Sequence, residues 1–253
     1  MKKNIPIGEA ADLLGVAIQT LRRWDDSGIL KSHRSSPTSY RFYTGEDLEH
    51  FLSANFKYLA SSCHKWAFNN KETEILAQFY CPDKSVFKAR LSKLELLLAR
   101  DEYLKVGAKF SLITSVVGEI GNNSFDHNIG NWPDMRGIFF GYSLDERKIV
   151  LADRGQGVLA TLKRVRTELS THQKALEVAF TEYVSGRSPE NRGNGLKYVR
   201  KIVTGGAEEN SLKKLVLFFQ SGDANVTIRY SSDVLNIKNV GDFNRGCFVL
   251  LQY

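Results

Sequence analysis

The stretch EIGNNSFDH at residues 119–127 decides the fold of the larger part of this chain. Two stretches with paired glycines follow it, DRGQG at residues 153–157 and RGNGL at residues 192–196. Each pattern alone is common, because glycine pairs and polar residues four apart on a helix often arise by chance. In this order, with about 30 to 40 residues between the starts of successive motifs, they predict a single binding pocket assembled along one α/β domain.

The first stretch belongs to a predicted helix over residues 105–128 with two distinct sides. Its apolar side carries Phe110, Ile113, Val117 and Ile120. At about 100° per residue, Glu119, Asn123 and Asp126 fall within roughly 60° of one another on another side. An amide oxygen can ligate Mg²⁺, one carboxylate can orient water around the metal, and a second can polarise the water that attacks a γ-phosphate. We therefore expect Asn123 to bind the metal and Glu119 to act as the catalytic base.

The second stretch follows a predicted strand. Lys148–Ala152 (KIVLA) is typical of a buried strand and leads into Asp153, whose carboxylate can accept a hydrogen bond from an amino group. Gly155 and Gly157 allow the backbone to turn closely against a flat ring. The sequence therefore predicts the base-binding end of a nucleotide pocket at this position.

The third stretch precedes a predicted helix over residues 196–203. The turn GNG at residues 193–195 lies directly before that helix. Amide groups at the start of a helix have no partner within the helix and are suited to bind phosphates. The turn therefore predicts the phosphate-binding end of the same pocket.

Together these motifs resemble those of the GHKL superfamily, the ATPase fold shared by DNA gyrase, heat-shock chaperones, histidine kinases and MutL. The resemblance covers about residues 105–253. It places the N box at Glu119, Asn123, Asp126 and His127, the first glycine box at Asp153, Gly155 and Gly157, and the second at Gly193, Gly195 and Leu196. A last motif, normally with threonine, corresponds to Gly246–Phe248, where Cys247 takes the place of the threonine.

The resemblance implies an α/β sandwich of a mixed sheet and helices, the GHKL or Bergerat ATP-binding fold, with Mg-ATP under a lid at about residues 158–192. It assigns ATP binding to Asn123, Asp126, Asp153, Gly155, Gly157, Gly193, Asn194, Gly195 and Leu196. Mg²⁺ would be held by Asn123.

The start of the chain carries two short helical patterns joined by a glycine turn. Residues 5–15 (IPIGEAADLLG) have apolar positions at helical spacing and end in glycine. In the next pattern Leu21 and Trp24 face inward, while Thr20, Arg22 and Arg23 are left toward solvent. The two patterns predict a helix-turn-helix unit.

A basic, turn-rich hairpin follows at residues 31–43 (KSHRSSPTSYRFY) and is predicted to form a wing. Residues 4–52 as a whole resemble the MerR-type winged helix-turn-helix. The resemblance implies that the helix enters the major groove of double-stranded DNA and that the wing meets backbone phosphates. By this resemblance, the residues that would approach the major groove are Thr20, Arg22 and Arg23. The residues that would contact backbone phosphates, here called the phosphate set, are Arg34, Tyr40, Arg41 and Tyr43. Alternatively, the arginines form a solvated helix face and the tyrosines pack the wing.

Residues 54–104 carry no motif with identifiable chemistry and are predicted to be a helical connector. Leucines at residues 88–98 recur at three- and four-residue spacing, which suits either a dimer helix or packing within the chain. We therefore divide the chain into a winged helix-turn-helix domain at 1–53, the connector at 54–104 and an ATP-binding domain at 105–253.

The composition is that of an ordinary globular protein. Of 253 residues, 42% are apolar and 25% are charged, which excludes a disordered chain. No apolar run reaches the roughly 20 residues of a membrane-spanning helix, and the N-terminus has no apolar signal region, so we expect a cytoplasmic protein. The net charge of +7 favours a polyanionic partner. Three scattered cysteines lack the paired spacing of a zinc site.

Three uses of ATP fit these features. In the first, Mg-ATP binding and slow hydrolysis switch the DNA-binding module, with the protein acting as a homodimer. In the second, the chain is a serine/threonine protein kinase of the anti-sigma type and has a protein partner as substrate. In the third, it is a nucleotide-binding adaptor without hydrolysis. The fusion to a DNA-binding module favours the first.

Overall fold

The computed structural model describes residues 4–68, 75–100, 109–184, 195–205, 215–232 and 234–253. Its helices are α1 (Ile7–Leu14), α2 (Ile18–Ser27), α3 (Gly45–Ala54), α4 (Phe56–Phe68), α5 (Lys84–Arg100), α6 (Lys109–His127), α7 (Gly157–Leu162), α8 (His172–Thr181) and α9 (Gly195–Val203). Its strands are β1 (Asn4–Pro6), β2 (Phe42–Thr44), β3 (Tyr80–Cys81), β4 (Ile138–Ser143), β5 (Lys148–Asp153), β6 (Val216–Arg229) and β7 (Ile237–Gln252).

The N-terminal unit consists of α1, α2 and α3 with the small antiparallel pair β1–β2. Its core contains Leu14, Leu21, Tyr43, Leu48 and Leu52, all fully buried. A reciprocal capping box begins α3, because the Thr44 hydroxyl accepts from the Asp47 amide at 3.2 Å and the Asp47 carboxylate accepts from the Thr44 amide at 2.8 Å. The predicted helix-turn-helix unit is therefore present.

The larger unit is built on a five-stranded sheet in the order β3-β4-β5-β7-β6. Its described strands pair antiparallel throughout, which corrects the expectation of a mixed sheet. Side chains alternate between its two faces. One face, with Phe140, Leu151 and Val249, packs in a core with residues of α5, α6, α8 and α9. The other face, with Phe139 and Phe248, packs against α4. The predicted α/β sandwich is confirmed.

The stretch predicted as a connector contributes to both layers of this sandwich. Helix α4 covers the second face of the sheet, β3 extends the sheet at its edge, and α5 packs along α6. On α5, Leu94 and Leu98 are buried while Leu96 is exposed, so its leucine spacing reflects packing within the chain. The domain limits at residues 53 and 104 stay predictions.

Helix α4 joins the N-terminal unit to the sheet through one continuous hydrophobic core. Leu59 and Trp66 on α4 are buried among residues of both units. The first turn of α4 is also tied to the β4–β5 hairpin, because the Phe56 amide donates to Glu146 Oε1 at 2.8 Å. The two units are therefore attached by packing as well as by the chain.

Within the described residues, no helix combines the length and the apolar character needed to cross a bilayer.

We predict that Leu59→Ala lowers the free energy of unfolding by about 2 to 5 kcal/mol, because it leaves a cavity between α4 and the sheet. Loss of this shared packing should lower the stability of both units together. Urea titrations followed by tryptophan fluorescence and by circular dichroism measure this. Leu96→Ala, at an exposed leucine of α5, is the control and should change stability by less than about 0.5 kcal/mol. A wild-type-like stability for Leu59→Ala would contradict the shared core.

Candidate functional site

A pocket opens on the sheet face that carries α6, and it brings together motifs from distant parts of the chain. Its empty space is about 750 Å³, part of which is open to solvent. The predicted site residues that line it are Asn123, Asp153, Gly157, Gly195 and Leu196. The sequence motifs thus converge on one place.

Asp153 forms the polar floor of this pocket. Its side chain is buried, Oδ2 accepts from the Ser124 hydroxyl at 2.7 Å, and Oδ1 accepts from the Gly155 amide at 2.8 Å. Burial raises the pKa of Asp153, although these hydrogen bonds oppose the shift. Cys247 of β7 lies beside it on the pocket wall. A buried acceptor that faces an open pocket is suited to an amino group of a ligand.

Glu119 and Asn123 lie one helical turn apart on α6 and meet the start of α9. A Cβ added to Gly195 would lie 2.8 Å from Asn123 Nδ2 and 3.0 Å from Glu119 Oε2, so the absence of a side chain lets α9 begin against both groups. Asn123 lines the pocket, whereas Glu119 lines an adjoining groove between α5, α6 and α9. Glu119 thus stands at the border between pocket and groove.

Asp126 is placed differently from the expectation. Its carboxylate accepts from Lys84 Nζ of α5 at 2.8 Å, and Asp126 does not line the pocket. Residue 126 is turned toward α5 because α6 packs between that helix and the pocket. Asp126 thus takes part in the contact between two helices, and its role in ATP binding stays a prediction.

Part of the predicted phosphate site lies outside the described residues. This applies to Gly193 and Asn194, and to residues 185–192 of the predicted lid. The described part of the lid contains α7 and α8, and Val158, Thr161 and Ala179 from this part line the pocket.

Two pocket residues, Ser124 and Asn128, were not predicted from the sequence. Ile120, Ser124, His127 and Asn128 all line the pocket. Residues three and four apart lie on the same face of a helix, so Ile120, Ser124 and His127 share one face of α6. Asn128 follows directly after the helix on the same side. The same helical-wheel reasoning applied from Ile120 would have found both.

The predicted DNA-binding surface is largely exposed. Arg22 and Arg23 project from α2 into solvent, and Thr20 is half-buried on the same helix. On the wing Tyr40 is 94% exposed, and exposed Arg34 donates to the Pro37 carbonyl at 3.0 Å. These five side chains are accessible to a duplex.

The other two residues of the phosphate set hold the unit together instead. Tyr43 is fully buried, its hydroxyl donates to the Leu21 carbonyl at 3.4 Å, and burial raises its pKa to about 12. Arg41 donates to Asp25 Oδ2 at 2.8 Å and to Asp26 at 3.3 Å, and is 20% exposed. The burial of Tyr43 fits the alternative expectation that the tyrosines pack the wing. Arg41 pairs with α2, and its contact with phosphate stays a prediction.

We predict that Arg41→Ala destabilises the protein at neutral pH. Burial raises the pKa of Asp25, but hydrogen bonds from Ser32 and the pairing with Arg41 outweigh it and hold the pKa at about 2. A carboxylate with a lowered pKa stabilises the fold above its ordinary pKa near 4 and loses this effect as the pH falls toward 2. The difference in melting temperature between variant and wild type should therefore shrink over that interval. A difference independent of pH would contradict the ion pair.

Comparisons with known proteins bear on both units. Residues 6–43 match the family model described as MerR family regulatory protein. Among curated proteins, the type II methyltransferase M.Eco47II of Escherichia coli is 37% identical over 79 residues, which are 31% of this chain and 19% of the methyltransferase. The chain therefore spans about a fifth of that relative.

Solved structures similar to this chain include ATPase regions of two topoisomerases. The ATPase region of Saccharomyces cerevisiae topoisomerase II matches 54% of this chain and 36% of its own, with 13% identity and a TM-score of 0.34. The topoisomerase IV ATP-binding domain of Francisella tularensis matches 54% of this chain and 35% of its own, with 18% identity and a TM-score of 0.30. The chain joins a stretch that matches the MerR family, at residues 6–43, to a larger α/β sandwich built on a five-stranded sheet.

Proposed function

We propose that this protein is an ATP-dependent DNA-binding regulator, in which Mg-ATP in the pocket changes how the MerR domain meets double-stranded DNA. The observation that carries the proposal is that the MerR domain and the back of the pocket share one hydrophobic core. A ligand that shifts the sheet therefore shifts packing against α4, and packed cores respond to such shifts in discrete steps. Contact with DNA implies a cytoplasmic location.

Strand β7 provides one direct connection between the pocket and α4. Cys247 lines the pocket, and the next residue, Phe248, points to the opposite face of the sheet. There its ring packs edge-on against His64 and Phe68 of α4, with centroid distances of 5.4 and 5.9 Å. Movement of β7 at the pocket wall therefore acts on α4 through aromatic contacts.

The loop after Asp153 provides a second connection. Arg154 is buried, donates to Asp134 Oδ2 at 2.6 Å, and places its guanidinium 5.9 Å from the ring centroid of Trp66 on α4. Asp134 also pairs with Arg245 of β7 at 2.8 Å. The residue after Asp153, β7 and α4 thus meet in one cluster, in which Arg154 is buried while Asp134 and Arg245 are partly exposed. A change in one of these partners therefore alters the contacts of the others.

The described residues fit a purine triphosphate with its metal. Asp153 offers an acceptor for the amino group of adenine, and the start of α9 at Gly195 presents helix amides toward phosphates. Asn123 offers an amide oxygen for Mg²⁺, which when bound would neutralise phosphate charge. Glu119 is placed beside Gly195, where its carboxylate can take a proton from an attacking water.

A second candidate function follows from the groove beside Glu119. This groove adjoins the pocket that Asn123 lines, because Gly195 lines both, and Ser92, Ser115 and Tyr198 also line the groove. An acceptor hydroxyl from a protein partner can approach Glu119 along it, as a serine/threonine kinase requires. Labelled ATP distinguishes the two: a regulator releases phosphate to water, while a kinase transfers it to protein. An adaptor does neither but is still stabilised by ATP.

We infer that the regulator acts as a homodimer. Exposed acids such as Asp26 lie beside the basic residues of α2, so one MerR domain neutralises few phosphates and binds DNA weakly. Two domains on one duplex add their contacts. Sedimentation of the protein with and without Mg-ATP measures the association, and a monomer that binds DNA tightly would contradict this inference.

We predict that Asp153→Ala abolishes the rise in melting temperature that Mg-ATP gives the wild type, because the adenine acceptor is lost. Ligand at 100 times its dissociation constant stabilises a protein by about 2.7 kcal/mol, which is easily measured by thermal shift. Asp145→Ala, at an exposed aspartate of the β4–β5 hairpin, is the control and should keep the full shift.

Glu119→Ala should keep the rise in melting temperature with Mg-ATP and lower kcat for hydrolysis by about 100-fold or more. Hydrolysis at the wild-type rate would reject Glu119 as the base.

We predict that Mg-ATP changes the affinity of the wild type for DNA by about 5- to 150-fold. The affinity is measured with and without Mg-ATP by gel-shift titration of duplexes selected from a random-sequence pool. Phe68→Ala should retain ATP and DNA binding but lose most of this change, because the ring between α4 and Phe248 is removed. Phe243→Ala is the control, since this exposed aromatic of β7 contacts His172 of α8. Coupling that persists undiminished in Phe68→Ala would exclude this route.

A further inference from the structure

Asn128 lies just beyond the end of α6 and connects that helix to the glycine loop. Its side chain is buried and lines the pocket. Nδ2 donates to the Ser124 carbonyl at 2.7 Å, and Oδ1 accepts from the Gln156 amide at 2.9 Å. One end of the amide is thus held by the helix and the other by the loop.

The glycine loop, residues 153–158, depends on side chains for its conformation. Beyond the last residue of β5, three of its amides donate to side chains. The Gly155 amide donates to Asp153 at 2.8 Å, the Gln156 amide to Asn128 at 2.9 Å, and the Val158 amide to the Ser221 hydroxyl at 3.0 Å. One acceptor therefore comes from β5, one from β6, and one from Asn128, the residue that follows α6.

The packing of Gly155 shows how closely the loop follows this amide. A Cβ at Gly155 would overlap the side-chain atoms of Asn128, so the backbone passes directly over it. The next residue but one, Gly157, has a φ of 77° and turns the chain into α7. The loop therefore has one narrow path past Asn128, and a shift of this side chain moves the loop beside Asp153.

We propose that Asn128 is a positioning residue for nucleotide binding, which holds the glycine loop in the shape that receives the base. This inference rests on the proposed function, because it assigns a further residue to the same pocket. Asn128 acts through the Gln156 peptide. Because Asn128 orders the loop before the ligand arrives, no binding free energy is lost in ordering it.

The test uses the full chain with adenosine, AMP and ATP as probes. Asn128→Ala leaves the Gln156 amide without its acceptor and should weaken binding by about 10-fold or more. The loss should be equal for all three probes, because the loop lies at the Asp153 end of the pocket and not at the phosphates. Amide exchange measured by NMR should rise at Gln156. Asn131→Ala, at a neighbouring exposed asparagine, is the matched control and should change neither measurement.

Asn128→Asp keeps an acceptor for the Gln156 amide and should recover protection of Gln156 and part of the affinity. Gly155→Ala should weaken binding, and combining it with Asn128→Ala should cost less than the two losses together, because the clash is relieved. Wild-type affinity in Asn128→Ala, or a loss that grows from adenosine to ATP, would overturn the proposal. If the wild type binds none of the probes, the proposed function fails, while exchange at Gln156 still tests the role of Asn128 in the loop.

Discussion

The central strands of the sheet are buried on both faces, and this double burial organises the molecule. Strands β5 and β7 must present apolar side chains alternately to two layers. One layer consists of α5, α6, α8 and α9, and the other consists of α4 with the MerR domain behind it. Without α4, the rings of Phe139 and Phe248 would face water. Helix α4, with the N-terminal unit behind it, is therefore the cover of the sheet that forms the pocket.

The pocket places a polar group inside this otherwise apolar interior, which costs stability. Asp153 is buried, and burial raises its pKa because it disfavours the charged form of the carboxyl group. The hydroxyl of Ser124 and the amide of Gly155 compensate for part of that cost. A protein that retains a costly carboxylate at the floor of a pocket gives up stability at that point, as binding sites commonly do.

The sequence predicted the elements with strong periodicity and the motifs with several fixed residues. The long helix carrying Glu119 and Asn123 and the strand ending at Asp153 are found within a few residues of their predicted limits. The ion pairs of Asp126 and Arg41 were not predicted, for a common physical reason. Each is paired with a charge far away in the chain, Lys84 in one case and Asp25 in the other, and sequence spacing does not show such partners. The covering role of α4 was hidden likewise, because an amphipathic helix does not reveal which surface it meets.

The pairing of Arg41 with Asp25 bears on how the MerR domain can read a duplex. Arg41 precedes β2 at the base of the wing, and Asp25 lies in the last turn of α2. The ion pair therefore locks wing and helix at one angle. In the proposed DNA complex, a duplex would have to meet the wing and α2 at this angle. The stiffness of its base steps would then enter the binding free energy.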